Sequence, residues 1–463
     1  MDNLEFSNLT DVAHLLATRQ ISPVELTDLM LDRIDKYDGE LNSYALVLAD
    51  EARESAAAAE REMRHGIYRG PLHGIPVAVK DLCFTEGVTT AAGTTVMADF
   101  VPDYDATAVA RLRDAGAIIL GKLRMTEGAF ADHHPDLPVP INPWDPGTWI
   151  GSSSSGSAAA TSAGLCFGSL GSDTGGSIRL PCSATGLTGL KPTWGRVSRY
   201  GVFELAASLD HVGPMARSAA DCAAILQVIA GADHHDPTSL LAPVPDYLSA
   251  INGMPTAPTV GIDPRFSEKF DQATRDILDS VVRTVKSLGW TVVEVQIPDV
   301  SRVVAEWDAH CGIETALAHA ATYPSRAGEY GPGLRHLLDL GLSQSGTDYQ
   351  RILENRRAFT GQMRRLFKGI DLLLVPAIGV CSPTNAQLDR LGEDSALLEA
   401  LIKPTAPFNV SGNPTITLPA GLTGRGTPTA FQFVAAELDE QLLLQAGHAF
   451  QSVTDFHTLH PQL

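Results

Sequence analysis

The sequence is short of the features that mark several protein classes. Its six cysteines (Cys83, Cys166, Cys182, Cys222, Cys311 and Cys381) are scattered, with no C-x-x-C pair among them. That spacing excludes a disulfide-stapled secreted scaffold and the paired-cysteine metal and redox motifs. Reduced thiols in a cytoplasmic chain are the expectation. Basic charge is scarce: 34 Lys and Arg stand against 54 Asp and Glu, a net charge of −20. Such a field repels nucleic acid and anionic membrane surfaces, so neither is expected as a partner. No stretch approaches the ~18 to 20 apolar residues of a membrane span, and the start "MDNLEFSNLTDVAHLL" has no basic segment ahead of an apolar run. A soluble, cytoplasmic protein is expected. Internal repeats, long charged tracts and a G-x-S-x-G nucleophile elbow are all missing.

What is present is an alternation of helical and strand signals over 463 residues, 44% of them hydrophobic, as in α/β proteins. "SPVELTDLMLDRIDKY" offers Ser22 as N-cap, Pro23 at the first helical position and Glu25 three residues after the cap, then an apolar face of Leu26, Leu29, Met30 and Ile34. "DATAVARLRDAGAIILGK" reads as a helix closed by Gly116 and a buried strand over 117–120, and "DQATRDILDSVVRTVKSLGWTVVEV" repeats the form with Gly289. Further strands are expected at 259–262, 371–376, 415–419 and 430–434, the last followed by a helix. One large domain is the simplest reading, with the acidic stretch from about 240 to 400 as a candidate lobe.

Two loops raise chemical questions. "WIGSSSSGSAAATSAG" at 149–164 has the composition of a flexible connector. Downstream, "GSDTGGSIRLPC" places two glycines before a serine, where backbone N–H groups can converge without a Cβ in the way. Donors from Thr174, Gly175, Gly176 and Ser177 would then form an oxyanion hole, with Ser177 as the attacking hydroxyl. A serine needs a base. The pairs His133–His134 and His234–His235 lie in Asp/Pro-rich loops, where a solvated surface role is at least as plausible as catalysis. Lys80 ends the apolar run "IPVAV". Burial there lowers a lysine's pKa toward neutrality and frees an amine to accept a proton, whereas a snorkelling lysine at a strand end is the plain alternative.

Taken together, "GIPVAVKDL", "GSSSSGSAAATSAGLCFGSLGSDTGGSIRLP" and "GLKPTWGRVSRYGVFELAASLDHVGPMARSAAD" resemble the amidase signature family of serine amide hydrolases. The likeness extends from "SPVEL" to "FNVSGNPTITLPAG" and the final helix. It implies a large twisted mixed β-sheet covered by helices on both faces, in a single domain. The signature core would span about 65–235, a variable substrate-side lobe about 240–400, and the C-terminal strands and helix about 405–463.

The resemblance also implies a triad of lysine, a serine held by a cis peptide bond and a nucleophilic serine. Lys80 and Ser177 match it directly. Counting back from Ser177 by the family's spacing reaches Ser153, with Ser154 as the neighbour able to displace it, because four serines stand in a row here. Asp173 and Arg179 would hold the turn, and Gly128, Ala129 and Phe130 would line the acyl pocket. No cofactor or metal is implied; the partner would be a small-molecule amide, and a homodimer is left open. Three other readings stay in view: the glutamine-hydrolysing component of a tRNA-dependent amidotransferase, a carbamate (urethane) or ester hydrolase on the same triad, and an inactive binding protein on this fold. Residues 326–357 and 396–409 do not match the glutamine-clamping segments of that amidotransferase component. Trp307, His310 and Cys311, at helical spacing, read as core and are assigned no role.

Overall fold

Eleven strands form one mixed sheet in a computed structural model that describes residues 3–254, 256–391 and 394–463. In chain order they are β1 (Tyr44–Val47), β2 (Pro76–Lys80), β3 (Ile118–Leu123), β4 (Gly168–Asp173), β5 (Thr188–Lys191), β6 (His211–Ala216), β7 (Thr259–Ile262), β8 (Thr291–Glu294), β9 (Leu372–Pro376), β10 (Thr415–Leu422) and β11 (Pro428–Ala435). Their spatial order is β1-β3-β2-β4-β6-β5-β10-β11-β9-β7-β8. β2 runs parallel to both β3 and β4, the central run from β4 through β9 is antiparallel, and β9, β7 and β8 are parallel again. The strands between 259 and 376 therefore extend the same sheet.

Successive strand residues face opposite sides, so a strand buried throughout is covered on both. Every residue of β2, β3, β4, β5, β6, β9 and β11 is buried. Covering helices form where the sequence signals lie. Pro23–Leu41 carries a complete Ser22/Glu25 capping box, and Thr107–Asp114 ends just before Gly116, whose φ of +79° suits only a residue without a Cβ. The strand after it runs over Ile118–Leu123, longer than the apolar pattern indicates, because Gly121 and Lys122 continue pairing with β1.

The Ser/Gly-rich stretch is not a connector. Ser155–Ser162 is a helix with all eight residues buried. Its small side chains explain both facts: a Cβ at Gly156 would lie 2.5 Å from the carbonyl oxygens of Arg124 and Ser43, so only glycine permits that approach. This helix, β2 and β4 bring their ends to one place, and that place holds the candidate site.

Candidate active site

Lys80 closes β2 with no exposed surface. Its Nζ lies 2.6 Å from Ser153 Oγ, 2.8 Å from Ser172 Oγ and 2.9 Å from Ser154 Oγ. Burial lowers its pKa to about 7, against the opposing influence of Cys83, Asp173 and Asp210. This lysine does not snorkel. The adjacent serines differ in what else they touch. Ser154 donates its hydroxyl to the Ser172 carbonyl and accepts the Ser172 N–H, so its proton is committed. Ser153 Oγ meets only Lys80 among the described residues. The Ser152–Ser153 peptide is cis, which places the cis-bonded serine at the position reached by spacing.

The turn after β4 is held carbonyl by carbonyl. Asn409 Nδ2 donates to the Asp173 carbonyl (2.9 Å), Trp307 Nε1 to Thr174 (3.2 Å), Thr405 Oγ1 to Gly175 (2.5 Å) and Leu180 N–H to Gly176 (2.7 Å). Among the described residues the N–H groups of Thr174, Gly175 and Ser177 donate to no protein acceptor. The Gly176 N–H differs from expectation: it is taken by the Asp173 carboxylate at 2.9 Å and is not free for a ligand.

Asp173 and Arg179 form a fully buried ion pair. Asp173 also accepts from the Ile178 N–H and from Asn409, and Arg179 reaches the Thr405 carbonyl. Burial would raise the Asp173 carboxyl; the Arg179 charge and hydrogen bonds, with Lys191 and Asn409, outweigh it and hold the pKa well below the usual range. Asp210 braces the other side, accepting the Thr174 hydroxyl (2.6 Å) and the N–H groups of Leu205 and Ala206; burial raises it to about 6.

A cavity of about 1590 Å³ opens over this turn. Ser177 is partly exposed to it, and Thr174, Gly175, Ala129, Phe130 and Trp307 share its wall. No direct hydrogen bond joins Ser177 Oγ to Ser153 Oγ, although the Ser154 N–H donates to the Ser177 carbonyl at 3.3 Å. One placement corrects the sequence reading of this wall. Gly128 does not line the cavity: it lies behind, where a Cβ would strike Leu334 at 2.7 Å, while Ala129 and Phe130 face inward.

His133 and His134 are not free surface side chains. His134 is buried, and His133 lines the cavity 3.0 Å from Ser155 Oγ, its pKa lowered to about 4 by burial and the Arg124 charge. Their loop folds over the Ser155–Ser162 helix, which a local Asp/Pro pattern does not reveal. His234 and His235 are exposed as expected. Trp307, read as core, is both a cavity wall and a partner of the turn. Among the described residues no group of three or more His, Cys, Asp or Glu side chains is placed to hold a metal ion.

The pattern of the family described as Amidase matches residues 25–444. The chain belongs to the amidase family. It is an amide hydrolase. AmiD of Mycobacterium tuberculosis, which its name places among the amidases, is 53% identical over 99% of this chain and 97% of its own length. The A component of the glutamyl-tRNA(Gln) amidotransferase of Moorella thermoacetica is 36% identical over 98% of each chain. Among solved structures, 6-aminohexanoate cyclic dimer hydrolase complexed with substrate superposes on this amidase with a TM-score of 0.90 at 26% identity, covering 99% of each chain. Among the described residues no helix is long and apolar enough to cross a membrane.

Proposed function

We propose that this amidase cleaves a carboxylic amide through an acyl-enzyme on Ser177, with Lys80 as base and Ser153 as the relay between them. The observation that carries the reading is the 2.6 Å contact between a buried lysine with a pKa near 7 and a serine whose proton has no other partner. A neutral amine has two N–H donors and one lone pair. Ser154 and Ser172 accept the two donors, and the lone pair accepts the Ser153 hydroxyl. Lys80 takes the Ser153 proton as Ser153 takes that of Ser177, and Ser177 Oγ attacks the carbonyl carbon. The free N–H groups of Thr174, Gly175 and Ser177 stabilise the oxyanion. Ser153 then hands its proton to the leaving nitrogen, Lys80 returns the proton it holds, and the C–N bond breaks. Amines leave poorly unless protonated, so the relay serves amides in particular. Water adds to the acyl-enzyme by the reverse proton path and releases the acid.

Ala129 and Phe130 form the acyl side of the substrate pocket in this reading, with Asp173 and Arg179 holding the turn. The chain works as a single domain on small-molecule amides, alone or as a homodimer, in the cytoplasm. Six cysteines that are all free thiols, five of them buried, suit a reducing compartment, and the net charge of −20 disfavours nucleic acid. The 36% identity to an amidotransferase component favours a second reading, glutamine hydrolysis within a complex. A hydrolysis panel on purified protein separates the two: anilides, alkyl and aryl primary amides, carbamates and glutamine. Turnover of anilides without added partners, with a fluorophosphonate label on Ser177, is expected. Activity on glutamine alone, and only with partner proteins, favours the amidotransferase.

A further inference from the structure

The four carbonyls of the Asp173–Gly176 turn are pinned by donors from four separate places, and one donor stands apart from the others. Asn409 and Thr405 are fully buried and line no part of the cavity, and Leu180 donates through its backbone. Trp307 begins the helix Trp307–Ala318, and it touches the turn and the cavity at once. Its indole N–H meets the Thr174 carbonyl at 3.2 Å, and its six-membered ring lies against Gly175 so closely that a Cβ there would sit 2.5 Å from a ring carbon. Val304, Ala305 and Asp308 around it also line the cavity.

The peptide unit is planar and trans, so the C=O of one residue and the N–H of the next point in opposite directions. A donor that fixes the Thr174 carbonyl therefore fixes the direction of the Gly175 N–H. By the same rule Leu180, through the Gly176 carbonyl, orients the Ser177 N–H, and Thr405, through the Gly175 carbonyl, turns the Gly176 N–H to Asp173. We infer that Trp307 is a positioning residue for the oxyanion hole: its indole N–H holds the Thr174–Gly175 peptide so that the Gly175 N–H faces the reacting carbonyl oxygen. This deepens the acyl-serine reading above and rests on it.

The same helix packs on the loop that Asp210 organises, since the Thr315 hydroxyl lies 2.9 Å from the Leu205 carbonyl, sharing its proton with the Cys311 carbonyl at 2.7 Å, while Asp210 accepts the Leu205 N–H. Trp307 thus reaches the hole directly, and its helix reaches Thr174 a second time through Leu205 and Asp210. A substrate that fills the cavity presses on the wall that aims the donor. The Gly175 N–H that Trp307 aims gains most as the oxygen gains charge in the transition state, so losing that aim appears in kcat rather than in KM.

The test compares Trp307→Phe, which keeps an aromatic wall and removes the N–H, with wild type in three measurements. These are kcat and KM on the fastest amide of the panel, the Kd of phenylboronic acid, which forms a tetrahedral adduct on a serine, and the Kd of benzoate, which binds without one. A lost oxyanion donor lowers kcat by roughly 10²- to 10³-fold, and a misaimed one is expected to lower it by about 10-fold or more. The boronate affinity should fall by a similar factor while KM and benzoate affinity stay within about twofold. Unchanged kcat and boronate affinity overturn the inference. An equal loss in all three measurements also overturns it, because that marks a wall that binds ground state and transition state alike. If the Phe variant does not fold, Trp307→Tyr carries the same comparison. Ser177→Ala is run beside it: a dead Ser177→Ala with an unaffected Trp307→Phe rejects the positioning role alone, whereas an active Ser177→Ala rejects the acyl-serine reading and this inference with it.

Discussion

The segment from 148 to 192 and the segment from 259 to 402 build facing walls of one cavity by opposite means. In the first, the helix Ser155–Ser162 buries all eight residues and β4 buries all six, with serine, glycine and alanine packed against backbone. Its buried side chains are paired, Asp173 with Arg179 and Ser154 and Ser172 with Lys80 of the neighbouring strand, and each turn carbonyl has a donor. In the second, the helix Gln272–Ser287 buries only Thr274, Val281 and Val285 of its sixteen residues, and no residue of β8 is buried. Its contribution to the cavity includes the exposed Arg265, Lys269, Asp299 and Asp308. A group that must be held to a fraction of an ångström is placed where no atom has room to move, and side chains that meet variable ligands are placed where water competes. Phe266, Ile297, Val300, Leu401 and Trp307 are buried members of the second wall, and Trp307 also donates a hydrogen bond to the turn of the first.

Substitutions that unbalance the buried wall should have the largest effects. Lys80→Arg keeps a cation that never accepts a proton, and amide kcat/KM should drop by about 10³-fold or more in steady-state assays. In the wild type the base form is the neutral amine. Its fraction grows with pH, so kcat/KM should climb about tenfold per pH unit below pH 7 and level off above it, the limb centred near the Lys80 value of about 7. A limb near pH 10 would mean that burial does not lower the Lys80 amine.

Next comes Asp173→Asn, which leaves the Arg179 charge buried without its partner. Removing one member of such a pair lowers stability by about 3 to 5 kcal/mol, readable in chemical denaturation. The native Asp173 carboxyl titrates below its unfolded value, so its contribution is complete above the unfolded pKa and is lost as pH falls through the folded one. The variant's deficit should therefore be greatest near neutral pH and shrink in acid.

The two neighbouring serines sharpen the comparison within the first wall. Ser153→Ala should reduce amide turnover by about 10²-fold or more and affect activated esters less, since an ester's leaving group asks less of a proton donor. Ser154→Ala removes a hydroxyl that is already committed to Ser172 and should weaken both substrates together by a smaller factor. The reverse pattern would exchange their roles. Smallest of all should be Lys269→Ala in the second wall, an exposed side chain at the cavity edge: KM shifts of about threefold or less on neutral amides, with kcat and thermal stability unchanged.

Much of the first wall was legible because its information is local. Lys80 follows an apolar run, Ser177 follows two glycines, and Asp173 and Arg179 stand six residues apart in one motif. Capping boxes and closing glycines placed helices and strands to within a few residues, as at Ser22–Glu25 and Gly116. The choice of Ser153 among four serines needed the resemblance for its register, since identical side chains in a row carry no contrast. What escaped was long-range. Trp307 lies 133 residues from Thr174, and Thr405 and Asn409 lie more than 225 from the residues they pin. A tryptophan at helical spacing has the same signature in any core, so nothing in its neighbourhood announces a hydrogen bond to the turn. His133 was misjudged for a related reason: Asp and Pro around it mark a loop that is indeed largely exposed, and only the packing shows that the His133 ring turns in against Ser155. A carboxylate inside "ASLDHVGPMA" was the one local hint of Asp210.

By itself the sequence determined the chemical inventory: an α/β chain without membrane-spanning runs, a lysine at the end of an apolar run, a glycine-flanked serine, and the small residues that let backbones close around them. These follow from steric and hydropathic rules that act within a few turns of chain. The tertiary structure decided which N–H groups of the turn stay free, that Gly176 is not one of them, that Ser153 rather than Ser154 keeps an uncommitted proton, and that a tryptophan from the far wall donates to the Thr174 carbonyl. Those outcomes depend on which distant donor reaches each carbonyl first, and that is settled by how eleven strands and their helices pack, not by any pattern along the chain.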